Sequence, residues 1–156
     1  MATIAFLGMG LLGGNFVRAL RRRGEAVRVW SRTPAKAQAL LAAGAAPCAS
    51  AAEAVRGARR VHLTLSDDAA VDAVLEAARP GLEPGAALVD HSTTAPAGVA
   101  ARVARWHERG HPFQHAPVFM GPQHALESTG LMLASGDKAR FDELAPALQA
   151  MTGKLV

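Results

Sequence analysis

The sequence has few of the residues on which several classes of protein depend. Its 156 residues include one cysteine and no tyrosine, and aromatic residues make up 4% of the chain. A single cysteine, Cys48, cannot form an internal disulfide bond and fits a reducing compartment, so we expect a cytoplasmic protein. The net charge is +4, but the one basic run is Arg21 to Arg23. Without a basic stripe and interleaved aromatic residues, a small anionic ligand is favoured over nucleic acid.

Long apolar runs and targeting signals are also missing from the sequence. No segment approaches the length of about 20 residues that a membrane span needs. The N-terminus has no charged region and no cleavage site, and its apolar run is interrupted by glycines, so we expect a strand and no signal peptide. Half of the residues are hydrophobic, and we find no repeat or linker. We therefore expect one domain over residues 1–156 and no membrane partner.

The most informative stretch runs from residue 3 to residue 18, where an apolar run meets three glycines and continues into a helical pattern. Gly8 allows a tight turn, Gly10 leaves room for a pyrophosphate, and Gly13 lets the helix pack closely on the sheet. A plain glycine turn is the alternative. The helical pattern and the strand that follows, Ala26 to Trp30, favour a dinucleotide loop. The loop residues expected to contact the cofactor are Gly8, Met9, Gly10, Leu11, Leu12 and Gly13.

Strand and helix patterns alternate along most of the chain. After the first two strands, we predict strands at residues 46–48, 60–65, 86–90 and 113–116. The predicted helices between them cover residues 35–43, 50–56, 69–78 and 96–109. This alternation predicts an α/β fold of Rossmann type, a doubly wound, mainly parallel sheet with helices on both faces. Beyond residue 116 we predict a loop with a helical turn to 128, a strand at 130–134, a helix at 137–151 and a strand from 154.

The second strand is followed by Ser31, Arg32 and Thr33, where a dinucleotide site usually has an acidic residue. A carboxylate would repel a 2′-phosphate, whereas a guanidinium can pair with it and hydroxyls can donate to it. We therefore expect these three residues to bind the cofactor and NADP(H) to be preferred over NAD(H). Arg32 could also be an ordinary exposed charge, and Thr33 could cap the next helix.

Other groups of reactive residue types have simpler explanations. Asp67 and Asp68 fit the capping of a helix better than a catalytic pair. Asp90, His91 and Ser92 are neighbours on an extended segment, so their side chains point to opposite faces and do not form a triad. The remaining histidines are isolated or separated by Gly110, so no metal site is expected; they are His62, His107, His111, His115 and His124.

An ordered set of motifs resembles the β-hydroxyacid dehydrogenases, which include 3-hydroxyisobutyrate dehydrogenase and the cofactor domain of 6-phosphogluconate dehydrogenase. The motifs that carry this resemblance over nearly the whole chain are the glycine loop, residues 31–33, residues 65–71, residues 90–93 with Pro96, and residues 116–118 with Gly121. The resemblance implies that Leu65 and Ser66 line the nicotinamide ribose. It also implies that Thr93 faces the nicotinamide, with Ser92 and Gly121 near the substrate.

Two departures from the family pattern change what the resemblance implies. Phe119 and Met120 replace a serine and a glycine that hold the substrate carboxylate in the family, which hints at a bulkier or less polar substrate. The family's catalytic lysine lies in a C-terminal helical domain that residues 1–156 do not contain, and no lysine here matches it. We therefore expect no catalytic residue in this chain, and a homodimer only where such a helical domain exists.

The leading interpretation is an NADP(H)-binding domain of an oxidoreductase that transfers a hydride between nicotinamide and a carbonyl or alcohol of a small-molecule substrate. Reduction of imines is a related alternative, since enzymes similar to this family perform it with an altered pocket. A nucleotide-binding or interaction module without catalysis is an alternative from another class.

Overall fold

The computed structural model describes residues 3–156, and its centre is a six-stranded sheet of parallel strands. The strands are β1 (Thr3–Leu7), β2 (Ala26–Trp30), β3 (Ala46–Pro47), β4 (Ala58–Leu63), β5 (Ala87–Asp90) and β6 (Phe113–His115). Their order across the sheet is β3-β2-β1-β4-β5-β6. This is the order of a doubly wound dinucleotide-binding sheet, so the predicted fold is confirmed. Residue 2, the other predicted start of the first strand, lies outside the described residues.

Helices cover both faces of this sheet. The helices are α1 (Leu11–Arg22), α2 (Pro34–Gln38), α3 (Ala51–Val55), α4 (Asp68–Ala78), α5 (Pro96–Glu108), α6 (Pro122–Glu127) and α7 (Lys138–Gln149). One buried cluster lies between the sheet and the side chains of α1, α6 and α7, and it includes Phe6, Phe16 and Leu148. A second cluster lies between the other face and α3, α4 and α5. Trp106 of α5 is fully buried there, and the guanidinium carbon of Arg109 lies 4.7 Å from its ring centroid.

A small second sheet follows the main one. It contains β7 (Val118–Phe119), β8 (Leu131–Met132) and β9 (Lys154–Leu155), with β7 antiparallel and β9 parallel to β8. An antiparallel bridge between His115 and Ser135 joins this unit to the end of β6. The sequence analysis predicted the second and third of these strands but assigned residues 118–119 to a loop. A two-residue strand depends on pairing with distant residues, which local sequence does not reveal.

Several predicted helix boundaries are confirmed by capping contacts. The side chains of Ser50, Asp67 and Asp137 each accept a backbone N–H from the first turn of their helix. Two boundaries were wrong. The helix predicted over 35–43 ends at Gln38 and continues as a separate 3-10 turn at Leu41–Ala43. The fourth strand runs from 58 to 63, two residues earlier than predicted, because its pairing with the neighbouring strands ends at Leu63.

Within the described residues, none of the helices is both long and apolar enough to cross a membrane. Over the same range, residues 3–156, no three or more His, Cys, Asp or Glu side chains are grouped as a metal ion would require.

Candidate functional site

The glycine loop connects β1 to α1 at the carboxyl edge of the sheet. Gly8 has a φ of +100°, and a Cβ atom there would collide with the carbonyl oxygen of Thr64. A Cβ atom on Gly13 would collide with the carbonyl oxygen of Gly8. Gly10 differs from both, because a Cβ atom on it would meet no heavy atom within 4 Å. Gly8 and Gly13 therefore allow close packing of the backbone, whereas Gly10 leaves an open surface.

The N-terminus of α1 opens onto this surface. Gly10 is its N-cap residue and offers no side chain to the first backbone N–H groups, and no acidic residue lies in the first turn. The helix extends over 12 residues, and its dipole favours an anion at this end. The loop thus has the features of a phosphate-binding site. Met9 is buried, whereas Leu11 is 79% exposed beside the loop.

The residues that follow β2 lie at the next strand end. Ser31 is buried, and its Oγ accepts the N–H of Thr33 at 3.2 Å. Arg32 and Thr33 are exposed. Thr33 is the N-cap residue of α2, but its side chain makes no capping hydrogen bond. The hydroxyl of Thr33 and the guanidinium of Arg32 are therefore available to a ligand.

A groove of about 500 Å³ joins the glycine loop to these residues. Lys36, exposed on α2, lines the same groove and was missed by the sequence analysis. Its position three residues after Thr33, one helical turn into α2, is the signal that could have identified it. The residues that line the groove are Gly8, Met9, Gly10, Trp30, Ser31, Arg32, Thr33, Lys36, Thr64, Leu65, Ser66, Ala70, Ala73, Val74 and Ala77. They include four cationic or hydroxyl side chains at one end, Ser31, Arg32, Thr33 and Lys36, and an apolar wall from α4.

The ends of β4 and β5 are tied together beside this groove. The N–H of Leu65 donates to Ser92 Oγ at 2.8 Å, and the N–H of Ser92 donates to Asp90 Oδ1 at 2.9 Å. Ser92 is only 3% exposed. Burial raises the pKa of Asp90, although hydrogen bonds from Ser92 oppose this. Thr93, in contrast, is exposed. The structure thus brings Leu65 and Ser92 into direct contact and leaves Thr93 as the hydroxyl that faces solvent.

The predicted substrate loop lies farther along the carboxyl edge, beyond β6. Phe119 is 62% exposed and pairs with Leu131 in the second sheet. Met120 is half-buried and packs against the core cluster that contains Phe6. The N–H of Gly121 donates to His124 Nδ1 at 3.0 Å. None of residues 119–121 is part of the groove lining, and Ser92 and Thr93 do not line it either, although Ser92 contacts Leu65 of the lining.

The acidic residues at the start of α4 have different functions. Asp67 Oδ1 accepts the N–H of Ala70, as predicted for a helix cap. Asp68 instead pairs with Arg102 at 2.8 Å and accepts the N–H of Ala95 at 3.0 Å. The hydrogen bond from Arg102 lowers the pKa of Asp68. The second acid therefore ties α4 to α5, a long-range contact that the sequence did not reveal.

The contact between His62 and His91 was not predicted. His62, taken as isolated, lies on β4 and is fully buried, with Nδ1 2.8 Å from Nε2 of His91. His91 in turn has Nδ1 2.9 Å from the carbonyl oxygen of Ala116. The ring of His91 faces the core cluster with Phe6 and Phe16 and does not face the groove.

The chain matches a known protein family over nearly its whole length. The profile of the family described as the NAD binding domain of 6-phosphogluconate dehydrogenase matches residues 3–156. The cytokine-like nuclear factor N-PAC of Xenopus tropicalis is 33% identical over 151 residues, which are 95% of this chain and 28% of that protein. The 3-sulfolactaldehyde reductase of Escherichia coli is 29% identical over 159 residues, covering all of this chain and 53% of the reductase.

The fold agrees with the sequence comparison. The solved structure of 3-hydroxyisobutyrate dehydrogenase from Mycobacterium tuberculosis with L-serine matches with a TM-score of 0.95 and 29% identity. The match covers 100% of this chain and 54% of that one. The chain therefore spans about half of the length of such relatives, or less.

Proposed function

Because this chain belongs to the family of the NAD binding domain of 6-phosphogluconate dehydrogenase, we propose that residues 3–156 are the nucleotide-binding domain of an oxidoreductase that prefers NADP(H). In such an enzyme the bound nicotinamide gives or accepts the hydride, while the protein binds and orients the reactants. The substrate we propose is a carbonyl or alcohol compound of small size.

The observation that carries this proposal is the composition of the groove. Its lining, as far as residues 3–156 form it, contains Arg32 and Lys36 but no carboxylate. A 2′-phosphate placed beside Arg32 would meet two cations and the hydroxyl of Thr33, whereas the ribose diol of NAD(H) would lack the acceptor that an acidic residue supplies. The open surface at Gly10 and the uncapped first turn of α1 would hold the pyrophosphate.

We also propose which residues lie near the nicotinamide and that residues 3–156 supply no proton donor. Leu65, Ser66 and Thr93 would lie along the nicotinamide half, since they surround the ends of β4 and β5. Within residues 3–156, no acid or base lies beside Leu65, Ser66 and Thr93 in this arrangement, because Lys36 is at the Arg32 end of the groove and His91 faces the core. A positioned proton donor is typically worth 10²–10⁴-fold in rate. Residues 3–156 alone should therefore bind the nucleotide without turning over a substrate.

A second candidate is nucleotide binding without catalysis in the whole protein. It is favoured by the relative that is 33% identical to this chain, since its name, cytokine-like nuclear factor, denotes no reaction. The groove would serve either function.

The test compares binding of NADPH and NADH by isothermal titration calorimetry in the unmodified chain and in Arg32→Ala. NADPH should bind more tightly, and Arg32→Ala should remove most of the difference, about 1.5–3 kcal/mol for a hydrogen bond to a charged group. Arg22→Ala, an exposed arginine at the far end of α1, is the matched control and should change neither constant. Equal dissociation constants for the two nucleotides in the unmodified chain would refute the preference.

A further inference from the structure

A continuous chain of hydrogen bonds runs through the core beneath the carboxyl edge of the sheet. It begins at Arg60, whose Nε donates to His62 Nε2 at 2.7 Å. It continues through the 2.8 Å contact between the two histidine rings and ends at the carbonyl oxygen of Ala116, 2.9 Å from His91 Nδ1. Both rings are at most 2% exposed. The chain therefore links an arginine on β4 to the segment that follows β6.

The chemistry of its two ends fixes the protonation of every nitrogen between them. The carbonyl oxygen of Ala116 can only accept, so His91 Nδ1 must carry hydrogen. If His91 is neutral, its Nε2 accepts, and His62 Nδ1 must be the donor. His62 Nε2 is then an acceptor, which suits the guanidinium of Arg60. All contacts are satisfied at once only when both rings are neutral.

The surroundings keep both rings neutral. Phe6 stacks on His62 with centroids 5.4 Å apart, and Phe16 lies 5.5 Å from His91. Burial, followed by the charge of Arg60, holds the pKa of His62 well below its usual value. Burial also lowers the pKa of His91 to about 4, against a smaller opposing effect of the Ala116 carbonyl.

The charged groups near these hydrogen bonds also favour the neutral form of the rings. His115, on β6, further lowers the pKa of His91, as does Arg60. Glu25, and Glu143 of α7, lie with Arg60 around a solvent-facing pocket at the other end of these hydrogen bonds. Asp90, the sequence neighbour of His91, has its Oδ1 bonded to the N–H of Ser92. Among the described residues, no carboxylate contributes to the pKa shift of His62 or of His91.

This series of hydrogen bonds crosses three strands at the edge where the groove lies. His62 is on β4, His91 follows β5 and Ala116 follows β6. The next residue after His91 is Ser92, whose Oγ holds the N–H of Leu65. A displacement of the His91 backbone would therefore move Ser92 and, through the hydrogen bond to its Oγ, the turn that carries Leu65.

We infer that His62 and His91 are positioning residues that fix the ends of β4, β5 and β6 for the nicotinamide half of the nucleotide. This inference rests on the proposed function. The two rings touch no ligand in this role; they act through Ser92 and Ala116. Without them, the half of the groove beside Gly10 and Arg32 should remain intact.

The experiment measures two ligands by calorimetry at pH 7.5. NADP⁺ reaches both halves of the site, whereas adenosine 2′,5′-bisphosphate reaches only the half beside the glycine loop. His91→Phe keeps the ring stacking but removes both hydrogen bonds, and it should weaken NADP⁺ binding about three- to tenfold, the equivalent of one hydrogen bond. Binding of the bisphosphate should not change. His91→Asn, whose amide can still donate to Ala116, should recover most of the NADP⁺ affinity.

Each other outcome is decisive. Unchanged NADP⁺ affinity in His91→Phe, or an equal loss for both ligands, would overturn the inference while leaving the proposed function in place. Failure of the unmodified chain to bind either ligand would overturn the proposed function and this inference together. His107→Asn, an exposed histidine on α5, is the control and should change nothing.

A measurement on the unmodified chain covers the case in which His91→Phe does not fold. The ¹⁵N chemical shifts of the rings identify which nitrogen carries hydrogen. The inference requires hydrogen on Nδ1 of both rings, and hydrogen on Nε2 of His91 would contradict it.

Discussion

The two ends of the carboxyl edge differ in the polar groups that they leave for a ligand. At the nucleotide end, from Gly8 to Lys36, side chains are missing or exposed, and backbone N–H groups at the start of α1 are left for a ligand. At the far end, from His115 to Gly121, the backbone is already paired within the protein. His115 Nε2 lies 3.0 Å from the carbonyl oxygen of Ser92, and Gly121 donates to His124.

This difference separates an end that leaves polar groups for a ligand from an end whose polar groups are already paired within the protein. An open, cationic groove needs only a ligand to satisfy its polar groups. The far end presents the exposed ring of Phe119 and few free polar groups, so it offers little to a small carboxylate. We therefore propose that the first end binds the nucleotide and that the second end mainly supports the fold. Three predictions test this comparison.

The largest effect is expected at the glycine loop. Gly8→Ala should destabilise the fold by at least about 3 kcal/mol, because a positive φ is strained for alanine and the new Cβ collides with the Thr64 carbonyl. Chemical denaturation measures the change. Gly10→Ala is the matched control.

Gly10 has a φ of −72° and open space around it, so alanine there should change the free energy of unfolding by less than about 0.5 kcal/mol. It should still weaken NADPH binding, since the new methyl group occupies the space of the pyrophosphate. Equal destabilisation by both substitutions would contradict the distinction between Gly8, which the fold requires, and Gly10, which leaves space for a ligand.

The next effect is the pH dependence of stability. The folded-state pKa values of His62 and His91 lie below their unfolded values, so the unfolded chain binds more protons between pH 6.5 and about 4. The free energy of unfolding should therefore fall as the pH drops through this window, by about 3 kcal/mol for His91 alone. Asp90, whose pKa is raised, should offset part of this loss.

Denaturation curves at pH 7 and pH 4.5 measure this loss, and the curves for His91→Asn serve as the comparison. The substituted chain cannot take up a proton at this position, so its stability should fall less over the same range. Parallel pH profiles for the two proteins would show that His91 does not titrate as the buried contacts require.

The smallest effect separates two neighbours at the far end. Met120→Ala should cost about 1–2 kcal/mol, because this half-buried side chain packs on the core cluster. Phe119→Ser should change the free energy of unfolding by no more than about 0.5 kcal/mol, since the ring is 62% exposed.

In a complete enzyme, Phe119→Ser combined with Met120→Gly should raise kcat/KM for a short hydroxy acid. An unchanged ratio would place both residues outside the substrate pocket.

Local patterns predicted most of the fold. Caps such as Ser50 and Asp137 act within one helical turn, and glycines such as Gly24 and Gly110 end helices through their own left-handed conformation. These features depend only on adjacent residues. The glycine loop was equally accessible, because its three positions lie within a single strand, turn and helix.

The contacts that were missed depend on register. His62 lies opposite Val89 in the parallel pair of β4 and β5, so His91, two residues later, falls on the same face of the sheet. Nothing in the separate segments indicates that alignment. The pair of Asp68 and Arg102 likewise joins residues 34 positions apart.

The positions of the two tryptophans provide separate optical reporters of binding and of unfolding. Trp30 is half-buried and lines the groove, whereas Trp106 is fully buried under the guanidinium of Arg109 and does not line the groove. Emission from Trp30 should be quenched by energy transfer to a reduced nicotinamide, while emission from Trp106 should change when the core opens. A chain carrying Trp30→Phe, studied without nucleotide, would then report global unfolding through Trp106 alone.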